Sequence, residues 1–502
     1  MYGTLNRRKI NFFLWCFIFF IGLVLIAVDV DGKMNAILLF TCLVFVFEII
    51  YAIKDIQSRV FFLCFLLAFF TFLLGGEILD RYIGVFSVSF TDAINRHADI
   101  CLLISLLGLF GGYVLAEKCG SRIRIITPFT KKRQGVNYDG IYCRNVRVIS
   151  KYLFLATYLI WIFVLWRQIS YVFQYGYTTY YLHYNSGLPQ IVHDVADISP
   201  VAFYVFLATM PTKRETRFPL LLFLIQCVLS LGTGRRLYLM VGLLIVFAYL
   251  IARNKYHSRG EVWFTKKMRN GLIIAVPLLL VGMYLFEYIR SDVYVGTASQ
   301  FNPLFGFFAR QGTSINVIKY AEQFKDGLNQ DAIYSFYNTS KFLQTNALNQ
   351  YILHLDLGYS SGGQTVANAL DANYLANYIS YRVSATNYLN GIGLGSSYIA
   401  ELYVDFGYPG VLIGNILYGY LLQALYERAM NSQSIWKVAI GLYVADLLIR
   451  ANRATFDAFF AEPLYFTFWG TLLFIHLIAR RKAIKIGNSS YSHIIMRKQN
   501  RM

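Results

Sequence analysis

Long apolar strings recur from one end of this chain to the other, and they limit the folds open to it. About 20 such residues let a helix cross the roughly 30 Å hydrocarbon core of a bilayer. Backbone polar groups in that core must bond within the protein, so an apolar segment crosses it as a helix. Only 15% of the residues are charged, against about 25% in a soluble domain. The sequence therefore predicts an all-α polytopic membrane protein with about twelve transmembrane helices.

The apolar strings also give approximate helix positions. The first, 12–28, is followed by many more, so we interpret it as a retained helix and not as a cleaved signal peptide. Pro200, Pro211 and Pro219 interrupt the stretch 196–231, which is either one hairpin or two short spans. The predicted helices lie near 11–29, 34–53, 60–78, 99–117, 152–170, 196–210, 218–231, 237–252, 271–288, 398–425, 434–450 and 455–479.

The lysines and arginines indicate how these helices are oriented. Most of the 46 fall in connections that an inside start places in the cytoplasm, as the positive-inside rule requires. This predicts cytoplasmic N and C termini, and it explains the net charge of +19 without a nucleic-acid partner. The seven cysteines lie in predicted helices or cytoplasmic loops, and no pair has the spacing of metal ligands.

Two outside segments are long, within what we interpret as a single integral membrane domain, 1–502. The smaller segment, 167–195, is rich in tyrosine, which suits sugar rings or a membrane interface equally. The larger, 289–397, lies between the ninth and tenth helices and contains helical-looking pieces at 315–324 and 365–381. A loop of this length without a disordered composition is usually functional.

The outside face has few basic residues, so each one is a candidate for binding an anion. The turn at 230–236 places Arg235 and Arg236 where the next helix begins, and a helix N terminus with guanidinium groups suits phosphate. The alternative is that both arginines reach towards lipid headgroups. Arg450 and Arg453 lie three apart and share a face if their helix continues. The other outside candidates are Arg290, Arg310 and Arg382.

Glu401 and Asp405 are the acidic candidates on the same side. Their spacing of four residues puts both on one helical face at the outer end of the tenth helix. Glu401 is either a general base or a partner that holds an arginine in place. The chain has no phosphate-binding Walker loop and no His-Glu-x-x-His motif. Asp29 and Asp31 are interpreted as turn residues, so the sequence predicts neither a metal nor a cofactor.

Two motifs resemble the O-antigen polymerase (Wzy) family. One is GTGRR at 232–236, and the other is GLGSSYIAELY at 393–403 running into FGYPG at 406–410. Some members of the family carry Arg, ten residues, then Gly, and Arg382 with Gly393 fits that spacing once. The resemblance is clearest over 225–460. A second copy of the Arg–Gly motif is absent from the sequence, so a two-site loop mechanism is not predicted.

The resemblance implies a metal-independent polymerase of the bacterial inner membrane. Its substrate would be an oligosaccharide linked to undecaprenyl pyrophosphate in the membrane lipid, and a chain-length regulator protein would be a partner. The implied catalytic residues are Glu401, Arg235, Arg236 and Arg382, and the implied substrate-binding residues are Arg290, Arg310, Arg450, Arg453, Asp405 and Gly393. The alternatives are an O-antigen ligase or other lipid-carrier glycosyltransferase, and a polysaccharide flippase or transporter. The missing internal repeat disfavours a transporter.

Overall fold

The computed structural model describes the chain in segments, and its regular structure there is helical. The described residues are 2–29, 35–86, 88–126, 138, 140–255, 262–290, 303–346, 349–359, 363–431 and 434–499. The first eleven helices are α1 Tyr2–Val28, α2 Ala36–Lys54, α3 Ile56–Phe69, α4 Gly75–Ile83, α5 Asp92–Ile126, α6 Ile141–Tyr175, α7 Tyr177–His183, α8 Gln190–Ala208, α9 Lys213–Leu229, α10 Arg236–Lys255 and α11 Lys266–Arg290. The other ten are α12 Pro303–Gln311, α13 Ser314–Gln323, α14 Tyr337–Thr345, α15 Val366–Leu370, α16 Leu375–Val383, α17 Ala385–Leu389, α18 Tyr398–Asn431, α19 Ile435–Arg450, α20 Ala458–Ala461 and α21 Phe466–Gln499.

Several of these helices are long and apolar enough to cross a bilayer, which confirms the all-α membrane fold. Seven meet that description within the described residues, and an eighth does if α20 and α21, bent by 57° at their junction, form one span. A described helix overlaps each of the twelve predicted positions. The count of twelve spans stays a prediction.

The chain separates into two compact units, which we describe one at a time. Unit 1 contains Met1–Ile125, Leu244–Ala424 and Leu447–Phe459. Unit 2 contains Ile126–Leu243, Leu425–Asp446 and Phe460–Met502. Each unit is therefore built from segments that are distant in the sequence.

In unit 1, α5 and α18 pack with their backbones in close contact. A Cβ at Gly112 would overlap the carbonyl oxygen of Ile416, and a Cβ at Gly419 would overlap that of Leu109. Asn415 on α18 also donates to the Ser105 hydroxyl on α5 at 3.1 Å. Small residues allow membrane helices to approach this closely, so these glycines fix the distance between the two helices.

In unit 2, α6 packs against α8 and α21. The uncertain stretch 196–231 forms two helices, α8 and α9, with Pro200 and Pro219 inside them. Thr212 and Glu215 form a reciprocal cap at the start of α9, which satisfies backbone donors that the helix leaves open. Leu159 and Phe173 on α6 are more than two-thirds exposed, at 71% and 78%, as expected of side chains that face lipid.

The long outside segment is mostly helical, and it differs from the prediction in detail. The piece predicted at 315–324 is α13, whereas the piece at 365–381 is divided between α15 and α16. The tenth predicted helix is also broken, because Gly407 in α18 has φ 63° and ψ −160°. Glycine reaches such a conformation because it has no Cβ to clash with the backbone. Pro409, two residues later, has no N–H group to donate to a helical hydrogen bond. The first part of α18 therefore carries Glu401 and Asp405 as a separate short piece.

Candidate functional site

The Arg235–Arg236 pair stands on a rigid turn in unit 2. A 3-10 turn, Ser230–Thr233, is followed by Gly234 with φ 78°, and α10 begins at Arg236. The turn also packs against α6, because a Cβ at Gly232 would lie 2.9 Å from Ile169 Cγ1. Arg235 is exposed and Arg236 is half-buried. Arg236 is thus the first residue of α10 and Arg235 directly precedes it, beside a turn that tolerates little change. The role of the two arginines in binding an anion stays a prediction.

Glu401 in unit 1 is fully buried and bonds to a backbone group. One carboxylate oxygen accepts from the Ser396 hydroxyl, and the other accepts from the Phe456 N–H at 2.8 Å. No arginine is among its partners in the described part of the chain. Glu401 thus joins α18 to the segment that follows α19, and it does so through the backbone.

Asp457 bonds to the start of α14, and Asp405 bonds to the 3-10 turn, Tyr334–Phe336, directly before it. The Asp405 carboxylate accepts from Tyr334 N–H at 3.1 Å and from Ser335 N–H at 2.7 Å. Asp457 accepts from the N–H groups of Asn338 and Thr339, at 3.3 and 2.6 Å. Carboxylates are favoured at helix N termini, where N–H groups have no helical partner. The two aspartates therefore fasten α14 to two different segments of unit 1.

The second arginine pair is arranged differently from the conditional prediction. The helix α19 ends at Arg450 and a 3-10 turn, Ala451–Arg453, follows, so Arg450 and Arg453 do not share an α-helical face. Arg453 Nη1 donates to Gln311 Oε1 at 2.9 Å. A Cβ at Gly395 would lie 3.8 Å from Arg453 Cγ. Arg453 lies in the segment held by Glu401. It contacts Gln311 and packs beside Gly395 of the GLGSS motif.

Arg382 lies on an exposed part of unit 1, at the end of α16. Its guanidinium carbon is 5.6 Å from the ring centroid of Phe324 and 6.0 Å from that of Tyr378. Gly393 lies in a tight place, since a Cβ there would be 2.8 Å from Gln364 Nε2 and 3.3 Å from Ser380 Oγ. The Ser380 hydroxyl accepts from Leu394 N–H at 2.8 Å. Arg382 and Gly393 thus lie near the two ends of one loop, which contains α17 and is closed by the hydrogen bond between Leu394 and Ser380.

Two arginines of the set are only partly defined. Arg290 is the last residue of α11, and its side chain lies outside the described residues. Arg310 is half-buried near the end of α12, and its carbonyl accepts from the Thr313 hydroxyl at 3.2 Å.

A polar group around Glu322 lies on the outside segment of unit 1. Lys325 Nζ donates to Glu322 at 2.8 Å and the Tyr403 hydroxyl donates to it at 2.6 Å. Burial raises the pKa of Glu322, but these two hydrogen bonds outweigh burial, so its pKa is lower than usual. The hydrogen bond to Glu322 raises the pKa of Lys325. Both groups are therefore ionised at neutral pH.

The tyrosines of the smaller outside segment pack on one another in unit 2. The ring of Tyr171 lies 4.7 Å from that of Tyr175 and 5.1 Å from that of Tyr184, and Tyr180 lies 4.8 Å from Tyr184. Tyr175 remains 53% exposed. Tyr171, Tyr180 and Tyr184 therefore pack the segment, and Tyr175 still exposes a face of its ring.

The structure brings some of the predicted site residues together in one unit and places others in a different unit. Glu401, Asp405 and Arg453 belong to one connected set in unit 1, whereas Arg235 and Arg236 belong to unit 2. Sequence reasoning missed Asp457 and Gln311. The signal for Asp457 was an acid at the start of the predicted helix 455–479, close behind Arg453, but Gln311 carries no signal of its own. Within the described residues, no three His, Cys, Asp or Glu side chains are placed to hold a metal ion.

Comparison with known proteins identifies the family. The chain matches the family described as O-antigen polysaccharide polymerase Wzy over residues 10–483. No curated protein and no solved structure matches the chain. The match covers nearly all of the chain, including both units and every candidate residue described above. The chain therefore belongs to the O-antigen polysaccharide polymerase Wzy family, whose members polymerise lipid-linked O-antigen repeat units in the membrane.

Proposed function

We propose that the protein transfers a growing glycan from undecaprenyl pyrophosphate to a new lipid-linked repeat unit on the periplasmic face. A hydroxyl of the acceptor sugar attacks the anomeric carbon of the donor. The bond from that carbon to the pyrophosphate oxygen breaks, and the lipid pyrophosphate leaves with the electron pair. The acceptor proton passes to a base or to water. Negative charge grows on the leaving pyrophosphate, so fixed cations lower the barrier.

Arg453 is the observation on which this proposal chiefly rests. Its guanidinium is held by Gln311 at 2.9 Å and lies against Gly395. Gln311 is a neutral amide, so it orients Arg453 without cancelling its charge. An arginine fixed in this way needs little reorganisation when charge develops on a phosphate. Arg382, Arg450, Arg310 and Arg290 are the other proposed phosphate contacts of unit 1. Arg235 and Arg236 are proposed separately, as phosphate contacts of unit 2.

Glu401 has the role of a positioning residue in this proposal. Both of its oxygens are engaged, by Ser396 and by Phe456 N–H, and its side chain is fully buried. A general base needs to be within hydrogen-bond reach of the substrate hydroxyl. The two interactions favour the other role predicted for Glu401, in which it holds the arginine-bearing segment in place.

The test is polymer formation by Arg453 variants in a host that lacks the native gene. Arg453→Ala should lower polymer output on the order of a hundredfold. Arg453→Lys should recover only part of it, because an ammonium cannot make a bidentate contact with phosphate. Arg217→Ala, which removes an exposed arginine near the start of α9, is the matched control and should keep the wild-type ladder. Wild-type output from membrane-inserted Arg453→Ala would refute the assignment.

The same proposal includes location and partners. We place the protein in the bacterial inner membrane as a single domain, with both termini in the cytoplasm and 167–195 and 289–397 in the periplasm. Reporter fusions at Gln499 and within 349–359 should report opposite sides of the membrane. A chain-length regulator protein is the proposed partner. Deleting it should broaden the ladder of chain lengths without abolishing polymer, whereas loss of all polymer would make it part of the catalytic unit.

A further inference from the structure

A fully buried lysine joins the outside segment of unit 1 to the short helix α4. Lys319 on α13 has no exposed surface, and its ammonium lies 2.7 Å from Glu77 and 3.4 Å from Asp80. The ring centroid of Phe90 is 5.3 Å from the same nitrogen. A buried ammonium is unfavourable unless carboxylates accompany it. Lys319 therefore occupies this position only when α13 is docked on α4.

The two carboxylates belong to a larger cluster that reaches two further segments of unit 1. Arg81 on α4 lies 2.8 Å from Glu77 and 3.3 Å from Asp99 on α5. It also donates to Asn35, just before α2, at 2.8 Å. Sliding α13 by one turn, about 5.4 Å, would take the Lys319 ammonium out of contact with Glu77 and Asp80. The cluster thus sets one register for the outside segment.

The same register places Gln311, because the α12–α13 junction lies directly on α4. A Cβ at Gly76 would overlap the carbonyl oxygen of Gly312, and a Cβ at Gly312 would overlap the backbone of Gly76. Gly76 precedes Glu77 in the sequence, and Gly312 follows Gln311. The contact between Lys319 and Glu77 therefore lies less than three helical turns along α13 from the amide that holds Arg453.

We propose that Lys319 is a positioning residue for glycan transfer, because its ion pair with Glu77 fixes the register in which Gln311 orients Arg453. This inference rests on the proposed function, in which Arg453 contacts the pyrophosphate. Lys319 is fully buried and acts only through the residues it places. A role in stability alone does not account for the charges, since well-packed apolar residues usually replace a buried ion pair without loss of stability.

The test removes both charges of the pair at once. In Lys319→Met with Glu77→Gln, no unpaired ammonium is buried, so the protein should insert at the wild-type level with an unchanged thermal midpoint. Its kcat on purified lipid-linked repeat units should fall on the order of tenfold to a hundredfold, the effect of a misplaced group at an active site. Lys325→Met is the matched control: it removes an exposed cation from the same segment, paired with Glu322 at 2.8 Å. It should change kcat by less than about twofold.

Arg453→Ala separates this inference from the function on which it rests. If Lys319 acts through Arg453, adding Arg453→Ala to the double variant should lower kcat no further than Arg453→Ala does alone. Wild-type kcat in the double variant, with Arg453→Ala inactive, would overturn the inference and leave the proposed function intact. Wild-type kcat in Arg453→Ala would overturn both. An equal loss in Lys325→Met, or absence of the double variant from the membrane, would show a general role in loop charge or folding and would also overturn the inference.

Discussion

Replacing Glu401 with glutamine or with alanine should give sharply different results, and the difference tests its role. In the structure one oxygen of Glu401 accepts from the Phe456 N–H at 2.8 Å and the other accepts from Ser396. Glutamine keeps a carbonyl oxygen for Phe456, and its NH₂ group can donate to the Ser396 hydroxyl. Alanine keeps neither, and it leaves the Phe456 N–H buried without a partner.

The magnitudes follow from these hydrogen bonds. A buried N–H group left without a partner costs about 1–3 kcal/mol, which corresponds to roughly a fivefold to hundredfold change in an equilibrium. Glu401→Ala should therefore depopulate the ordered form of the arginine-bearing segment by that factor. Glu401→Gln keeps a hydrogen-bond partner for both Phe456 N–H and Ser396, so its loss should stay at about 1 kcal/mol, or severalfold in activity.

The general-base hypothesis predicts the opposite order. A glutamine cannot accept the acceptor proton, so Glu401→Gln would lose the full contribution of base catalysis, about a hundredfold to ten-thousandfold. The measurement is the initial rate of polymerisation by purified protein, beside the lipopolysaccharide ladder in cells. Insertion of each variant is checked by membrane immunoblot. Glu401→Gln as inactive as Glu401→Ala, at equal insertion, would refute the positioning argument.

Three further predictions come from contacts of the same kind. Asp457→Ala frees the start of α14, where Thr339 N–H loses a 2.6 Å partner, so 300–400 should become more sensitive to limited proteolysis, and unchanged sensitivity would contradict the anchoring role. Gly112→Leu would force α5 and α18 apart at Ile416 and should lower the thermal midpoint of the purified protein by several degrees, whereas Gly111→Leu, with open space around it, should not. Arg235→Ala should lower polymer output on the order of a hundredfold, and Arg235→Lys should recover part of that loss. Equal ladders from the wild type and both variants would show that Arg235 does not contact the phosphate.

The sequence predicted the helical membrane fold well because long apolar runs have few other solutions. Hydropathy did not show the break in α18, since a single glycine such as Gly407 is compatible with a continuous helix. Nor did it divide 365–381 between α15 and α16, because short outside helices are defined by their tertiary contacts. The break at Gly407 and the division of 365–381 therefore depend on single residues and tertiary contacts, which hydrophobic periodicity does not report.

The site was predicted by residue type better than by residue role. Glu401 and Asp405 were correctly placed on one piece of helix, but they accept from backbone N–H groups, which carry no sequence signature. Lys319 was missed because a lone lysine in an apolar helix is interpreted first as an exposed residue. Its partners Glu77 and Asp80 are more than two hundred residues away in the sequence, and only the folded chain brings them together.

Three acids of unit 1, Glu401, Asp405 and Asp457, share one structural role. Glu401 on α18 accepts from Phe456 N–H, and Asp457 accepts from Thr339 N–H at the start of α14. Asp405, also on α18, accepts from Ser335 N–H in the turn directly before α14. These contacts connect α18 to the 455–457 segment, that segment to α14, and α14 with the turn before it back to α18. Each carboxylate satisfies backbone donors instead of an arginine, so it anchors the segment without neutralising a guanidinium group. Arg453 is oriented in the same region by Gln311, whose neutral amide accepts from the guanidinium group without offsetting its charge.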